Sequence, residues 1–228
     1  MTTPNERNLS ERISDDIINY ILKEQLNPGD RLPNESILAE KLGVGRSSIR
    51  EAVKLLASRN IVTVRQGSGT YVSSNPGIVK DPLGFTFIGD KNKLAADLLE
   101  IRFLLEPAIA ARAAANATEE EIRQINRLCS ETEQLLREGK DHTAKDIEFH
   151  TAIGTSSKNL AVPRLMPVIT FAVPLFIDLT KNVLRQETID THREIAEAIA
   201  AHDPTRAHDA MYLHLIHNRR LITAQTQQ

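Results

Sequence analysis

The chain has 228 residues, 41% of them hydrophobic and 25% charged, with a formal net charge of −2. That is enough for two modest domains, each with its own core, in a soluble globular protein. Its one cysteine, Cys129, excludes an intrachain disulfide, and no charged start plus apolar run opens the chain as a signal peptide would, so a cytoplasmic location is expected.

Met1 to Asn8 is polar and expected to fray, after which Ile13, Ile17, Ile18, Ile21 and Leu22 form the stripe of a first helix. Pro28-Gly29-Asp30 ends it, and Asn34 is placed to cap a helix starting near Glu35. Leu38, Ala39 and Leu42 give that helix an apolar face, and Gly43 supplies the turn, where the backbone needs φ > 0. The next helix runs from about Arg46 to Arg59. Ile49, Ala52, Val53, Leu55 and Leu56 face its core, while Arg46, Arg50 and Lys54 recur at i, i+4 and i+8 on another face. Ser47 and Ser48 sit in its first turn, where hydroxyls and free N–H groups can bind phosphate. Ile61–Arg65 and Thr70–Ser73 are β-rich runs around Gln66-Gly67-Ser68-Gly69, a hairpin with a glycine-rich tip.

Taken singly, each piece reads as an amphipathic helix with a solvated basic face. Together and in order they form a winged helix-turn-helix with a recognition helix. Charge agrees, since residues 31–75 carry seven Lys/Arg against three Asp/Glu while both flanking segments are net acidic. Double-stranded DNA is the partner this footprint fits.

Residues 74–93, with two prolines, three glycines and no sustained period, read as a linker whose Phe85, Phe87 and Ile88 dock somewhere. Helices are then expected at 94–116, 118–138, 140–157, 160–184, 186–202 and 204–223, an all-α bundle of about six helices over 94–228. Thr118-Glu119-Glu120-Glu121 is a capping box, and Asp203-Pro204 caps the last helix. Pro163, Pro167 and Pro174 predict a kinked or broken helix over 160–184. The richest apolar run, Leu165 to Ile177, falls short of the roughly 20 residues of a membrane helix, so no membrane partner is expected. The fold class is therefore mainly α, with residues 1–73 as the DNA-binding domain.

All seven histidines lie in the second domain. Asp146 and His150, at i and i+4, project from one helical face with the spacing at which one helix gives a divalent metal two ligands, and His192 and His214 come from separate later helices. Any one of these histidines alone reads as solvated or hydrogen-bonded. His142, His202, His208 and His217 lack the pattern. Three imidazoles and a carboxylate suit Zn²⁺, with Ni²⁺ or Mn²⁺ compatible, and a cation in an apolar bundle attracts an anionic small molecule. Arg102 offers a planar fork for a carboxylate; the alternative is an intrahelical pair with Glu106 or Glu100. Asn218, one turn after His214, is placed to bond effector hydroxyls.

The stretch GDRLPNESILAEKLGVGRSSIREAVKLLASRNIVTVRQGSGTYV resembles the DNA-binding module of the GntR family of bacterial transcriptional regulators. The resemblance implies that Arg46, Ser47, Ser48 and Arg50 meet the operator in the major groove and that Gln66 and Gly67 of the wing approach the minor groove. Ser36 departs from the pattern P-x-E-R, which removes a phosphate contact. EIRFLLEPAIAARAA, DIEFH, THREIAEAI and MYLHL are similar to the C-terminal domain of the FadR-type subfamily (FCD). That resemblance implies a metal on Asp146, His150, His192 and His214, effector binding at Arg102, and a sugar acid or hydroxy-acid as effector.

The leading expectation is a homodimeric regulator whose second domain binds an organic acid and changes the spacing of two winged modules. A metal-dependent hydrolase or isomerase fused to a DNA-binding module is the rival, opposed by four protein ligands and the lack of a further general base. A direct metal sensor is the third reading.

Overall fold

The computed structural model describes residues 8–79, 81–180 and 185–226; the expected frayed stretch 1–7 and the expected helix end at Leu184 lie outside them. The chain divides into two compact units, Met1–Lys80 and Asp81–Gln228.

In the first unit, α1 (Leu9–Lys23) is capped by Asn8 and buries Ile13, Ile17 and Ile21. Leu22, expected in the same stripe, is 69% exposed, because nine residues after Ile13 it has turned half a circle to the opposite side. Asn34 Oδ1 accepts from Ile37 N at 2.9 Å and starts α2 (Glu35–Leu42); Gly43, at φ 66° and ψ 33°, ends it in the left-handed conformation that a Cβ would strain. The chain enters α3 (Arg46–Ser58) three residues later, and Ile49, Ala52, Val53 and Leu56 join the α1 isoleucines in one core. Strands β1 (Val62–Arg65) and β2 (Gly69–Val72) pair antiparallel, Val62 opposite Val72, both buried. Leu32 N donates to Thr70 O at 2.9 Å, tying the α1–α2 connection to the wing. This is a winged helix-turn-helix.

The second unit is helical. Its first residues are ordered within it: Asp81 Oδ1 accepts from Phe85 N at 2.8 Å to hold a 3₁₀ turn at Phe85–Phe87, and Phe85 packs edge-on against Phe171. Only Phe85 of the three expected docking residues does so within the chain; Phe87 is 90% and Ile88 42% exposed. Asp90 caps α4 (Lys91–Asn116), so that helix starts three residues before the expected point. The capping box of Thr118 and Glu121 starts α5 (Glu119–Glu138), and α6 (Thr143–Ser156) follows.

The segment expected as one proline-bent helix is two helices, α7 (Val162–Thr170) and α8 (Ala172–Thr180), which raises the expected six helices to seven among the described residues. Pro174 has no N–H to donate to Thr170, and breaking at Phe171 moves it into the first turn of α8, where no donor is required. The unit closes with α9 (Arg185–Ala200) and α10 (Pro204–Thr226), the latter started by Asp203 Oδ1 accepting from Arg206 N at 3.0 Å. Ala110, Ala113 and Ala114 of α4, Ala196 and Ala198 of α9 and Ala207 and Ala210 of α10 are buried in one core, and such small side chains let helix backbones approach closely. A cluster of buried polar side chains interrupts this apolar bundle at one place, Asp146, His150, His192 and His214 among them.

Candidate functional site

On the first unit, α3 begins at Gly45 with no side-chain cap and no acidic residue in its first turn, which leaves its N–H groups open to an anion. Arg46, Ser47 and Arg50 are exposed there and Ser48 half-buried, while Gln66 and Gly67 stand exposed at the wing tip, Gly67 at φ 71°. Arg46 forms no ion pair among the described residues. Arg50 does: Nη2 lies 2.7 Å from Glu35 Oε2, and Nε donates to Oε1 at 3.3 Å. That two-pronged hydrogen bond holds the Glu35 carboxyl below its usual range.

On the second unit, ligand nitrogens of His150, His192 and His214 all lie within 4.8 Å of one another. Asp146, one turn before His150 on α6, sends Oδ1 to 3.4 Å from His192 Nε2 and Oδ2 to 3.8 Å from His150 Nε2. The i, i+4 step on α6 puts two donors on one face, and α9 and α10 bring the others in from across the bundle. His192 is clamped by stacking on Phe149 at 4.5 Å, yet neither of its ring nitrogens has a hydrogen-bond partner among the described residues. Unpartnered nitrogens at 2% exposure are costly, and the donor set fits a divalent cation.

The tautomer of His214 is set by its neighbour. Thr191 gives its hydroxyl proton to the Glu187 carbonyl at 2.7 Å, so its oxygen accepts from His214 Nδ1–H at 3.0 Å and the lone pair is on Nε2. Burial, followed by repulsion from neighbouring histidines, holds both His192 and His214 well below the ordinary histidine pKa. Both rings are therefore neutral at pH 7, the form that can ligate.

Arg102, on α4, is 2% exposed and lines the cavity beside Asp146, His214 and Asn218. It also makes the i+4 pair with Glu106, Nη2 to Oε2 at 3.3 Å, while its Nη2 lies 3.4 Å from His150 Nε2 and its guanidinium sits over Phe176. Glu106 Oε2 in turn lies 2.7 Å from His150 Nδ1, oblique to the ring N–H. Burial opposes the Glu106 charge, but Arg102 and His150 outweigh it and keep the carboxyl below its usual range. Asn218 approaches His214 Nε2 at 3.5 Å.

Sequence reasoning missed Glu106 as a neighbour of His150, Thr191 as the orienting group of His214, and both His142 and Arg185 on the cavity wall. The signal for His142 was there: with Asp146 and His150 it makes a run at i, i+4 and i+8 on α6. His202 plays no part, its Nδ1 bonding the Ala114 carbonyl at 2.8 Å.

No described helix is long and apolar enough to cross a membrane. Residues 9–72 match the family of bacterial regulatory proteins, gntR family, and residues 97–217 match the FCD domain. The chain is 32% identical over 231 residues to the putative L-lactate dehydrogenase operon regulatory protein of Escherichia coli K12, covering 92% of this chain and 84% of that one. It is 31% identical over 202 residues to the HTH-type transcriptional regulator LutR of Bacillus subtilis, covering 84% and 90%. Among solved structures it is similar to Streptococcus agalactiae GntR, at 42% identity and a TM-score of 0.80, covering 92% and 99%. A winged helix-turn-helix followed by an FCD domain, matched over most of its length by named regulators, places this chain in the GntR family of bacterial transcriptional regulators, DNA-binding proteins rather than enzymes.

Proposed function

We propose that operator affinity is set by a small organic acid bound in the second unit beside a divalent metal. Asp146, His150, His192 and His214 would hold the metal, with Zn²⁺ the best match to three imidazoles and a carboxylate, and Ni²⁺ or Mn²⁺ compatible. The observation that carries this reading is His192: a buried ring with both nitrogens unpartnered among the described residues, beside two more imidazoles and a carboxylate. When bound, the metal supplies positive charge for an anionic ligand. Arg102 lines the same cavity with a second positive charge, Asn218 offers an amide for hydroxyls, and Val173, Phe176 and Ile177 supply an apolar wall. The name of one relative, a regulator of an L-lactate dehydrogenase operon, supports a hydroxy-acid; sugar acids share its carboxylate and hydroxyls.

On the DNA side, Arg46, Ser47, Ser48 and Arg50 read the major groove and Gln66 and Gly67 approach the minor groove, with two copies of the chain engaging two half-sites. An acid that binds the two DNA-competence states unequally shifts operator affinity by linkage. The test is elemental analysis of purified protein before and after chelation, then titration of two monocarboxylates, lactate and gluconate, and two dicarboxylates, malate and glucarate, against preformed complex on DNA selected from a random pool. Stoichiometric metal, and release by a carboxylate only when metal is present, is the expected result. Protein that neither holds nor reacquires metal would overturn the site, and release by chelation alone would favour a direct metal sensor.

A further inference from the structure

The cavity has a second polar end that the metal and Arg102 do not use. His142 begins α6 as its N-terminal cap residue, is 5% exposed, and lies on the face that Asp146 and His150 share, yet its Nδ1 has no hydrogen-bond partner among the described residues. It is not one of the three imidazoles whose nitrogens cluster. Arg185, the first residue of α9, lines the same cavity and has no ion pair among the described residues. Its guanidinium lies against the turn that carries His142: a Cβ on Gly139, three residues earlier, would sit 3.5 Å from Arg185 Nη2. Thr188, one turn further along α9, adds a hydroxyl to this wall.

Resting on the effector reading above, we propose that Arg185 and His142 form an outer anion subsite, so that the effector is a dicarboxylate rather than a monocarboxylate. Charge separates the two ends. At the inner end Arg102 is already paired with Glu106, and a metal dication would be half-neutralised by Asp146. One carboxylate completes that end. It leaves the exposed Arg185 fork to solvent and the buried His142 Nδ1 without a partner among the described residues, and a second carboxylate answers both at once, because a guanidinium takes a carboxylate on two parallel N–H groups while the imidazole N–H donates to a remaining lone pair. A monocarboxylate of equal length puts a hydroxyl or methyl there and leaves a cation facing it.

The test uses full-length metal-loaded protein and calorimetric titration with chain-matched pairs: malate against 3-hydroxybutyrate, and glucarate against gluconate. Wild type is expected to bind one dicarboxylate at least tenfold more tightly than its monocarboxylate partner. Arg185→Ala and His142→Gln should each bring that ratio below threefold while metal content and monocarboxylate affinity hold, with Arg185→Lys intermediate. Monocarboxylates binding as tightly as their partners, or a preference that survives both substitutions, would overturn the outer subsite and leave the effector reading standing. No binding by any of the four acids to metal-loaded wild type would overturn both.

Discussion

Replacing Arg102 by alanine should first cost stability, and only then effector recognition. Arg102 and Glu106 are each 2% exposed, and the pair has its Nη2–Oε2 contact at 3.3 Å. At an effective dielectric of about 20 their Coulomb attraction is roughly 5 kcal/mol, most of it offset by the desolvation of two charges. Arg102→Ala removes the attraction and leaves the desolvation, stranding a carboxylate that also touches His150 Nδ1, so a loss of about 3–5 kcal/mol is expected. With about 2–4 °C per kcal/mol for a domain of this size, the second unit should melt about 6–20 °C lower. The double variant Arg102→Ala/Glu106→Gln removes the stranded charge and should recover more than half of that loss. Thermal unfolding of the wild type, both single variants and the double, at fixed metal content, closes the cycle. Additive effects, with a coupling below about 0.5 kcal/mol, would refute the claim that these residues form one buried unit.

Stability of the second unit without metal should fall on acidification. His192 and His214 have folded pKa values below the ordinary 6.5, so the unfolded chain binds the extra protons; stability is whole above pH 6.5 and declines below it by about 1.4 kcal/mol per pH unit for each ring. A melting temperature flat from pH 7.5 to 5.5 would exclude neutral buried rings. Gly154→Ala should destabilise by about 1–3 kcal/mol in urea unfolding, because its Cβ would meet Met166 Sδ at 2.7 Å and Cγ at 2.9 Å; no change would mean that the Met166 side chain moves aside at no cost. Arg46→Ala should cost about 1–3 kcal/mol on selected DNA and much less on random duplex at the same salt. Equal losses on both would reduce Arg46 to a phosphate contact.

Local geometry was legible in the sequence, and convergence only in part. Gly43, the Thr118–Glu121 capping box and the Asp203-Pro204 start each follow from the stereochemistry of one to four consecutive residues, and the structure has them where the sequence puts them. Leu22 lies off the stripe because, although it follows Ile18 at i+4, it sits half a turn around the helix from Ile13. The break at Phe171 depends on which carbonyl Pro174 abandons, and only the tertiary setting of two short helices decides whether such a helix bends or parts. At the site, the Asp146–His150 step was visible as helical spacing. The sequence left Arg102 open between cavity and ion pair, and the structure has it in both, an outcome that rests on burial rather than spacing. Arg185 could not have been found, since what brings it beside the His142 turn is the packing of α9 against α5, with no local pattern to announce it.

The two-pronged contact between Arg50 and Glu35 has a consequence for attempts to change operator preference. Arg50 belongs to the proposed reading face, but its orientation is shared with a residue fifteen positions earlier, on the helix before it. A library that varies Arg50 alone takes from Glu35 its hydrogen-bonded partner and leaves a carboxylate beside the proposed reading face, so members would be expected to lose affinity for that reason as well as for misreading a base. Retargeting at this position therefore needs Glu35 and Arg50 varied together. For the same reason, relatives with a different residue at 50 should differ at 35 as well.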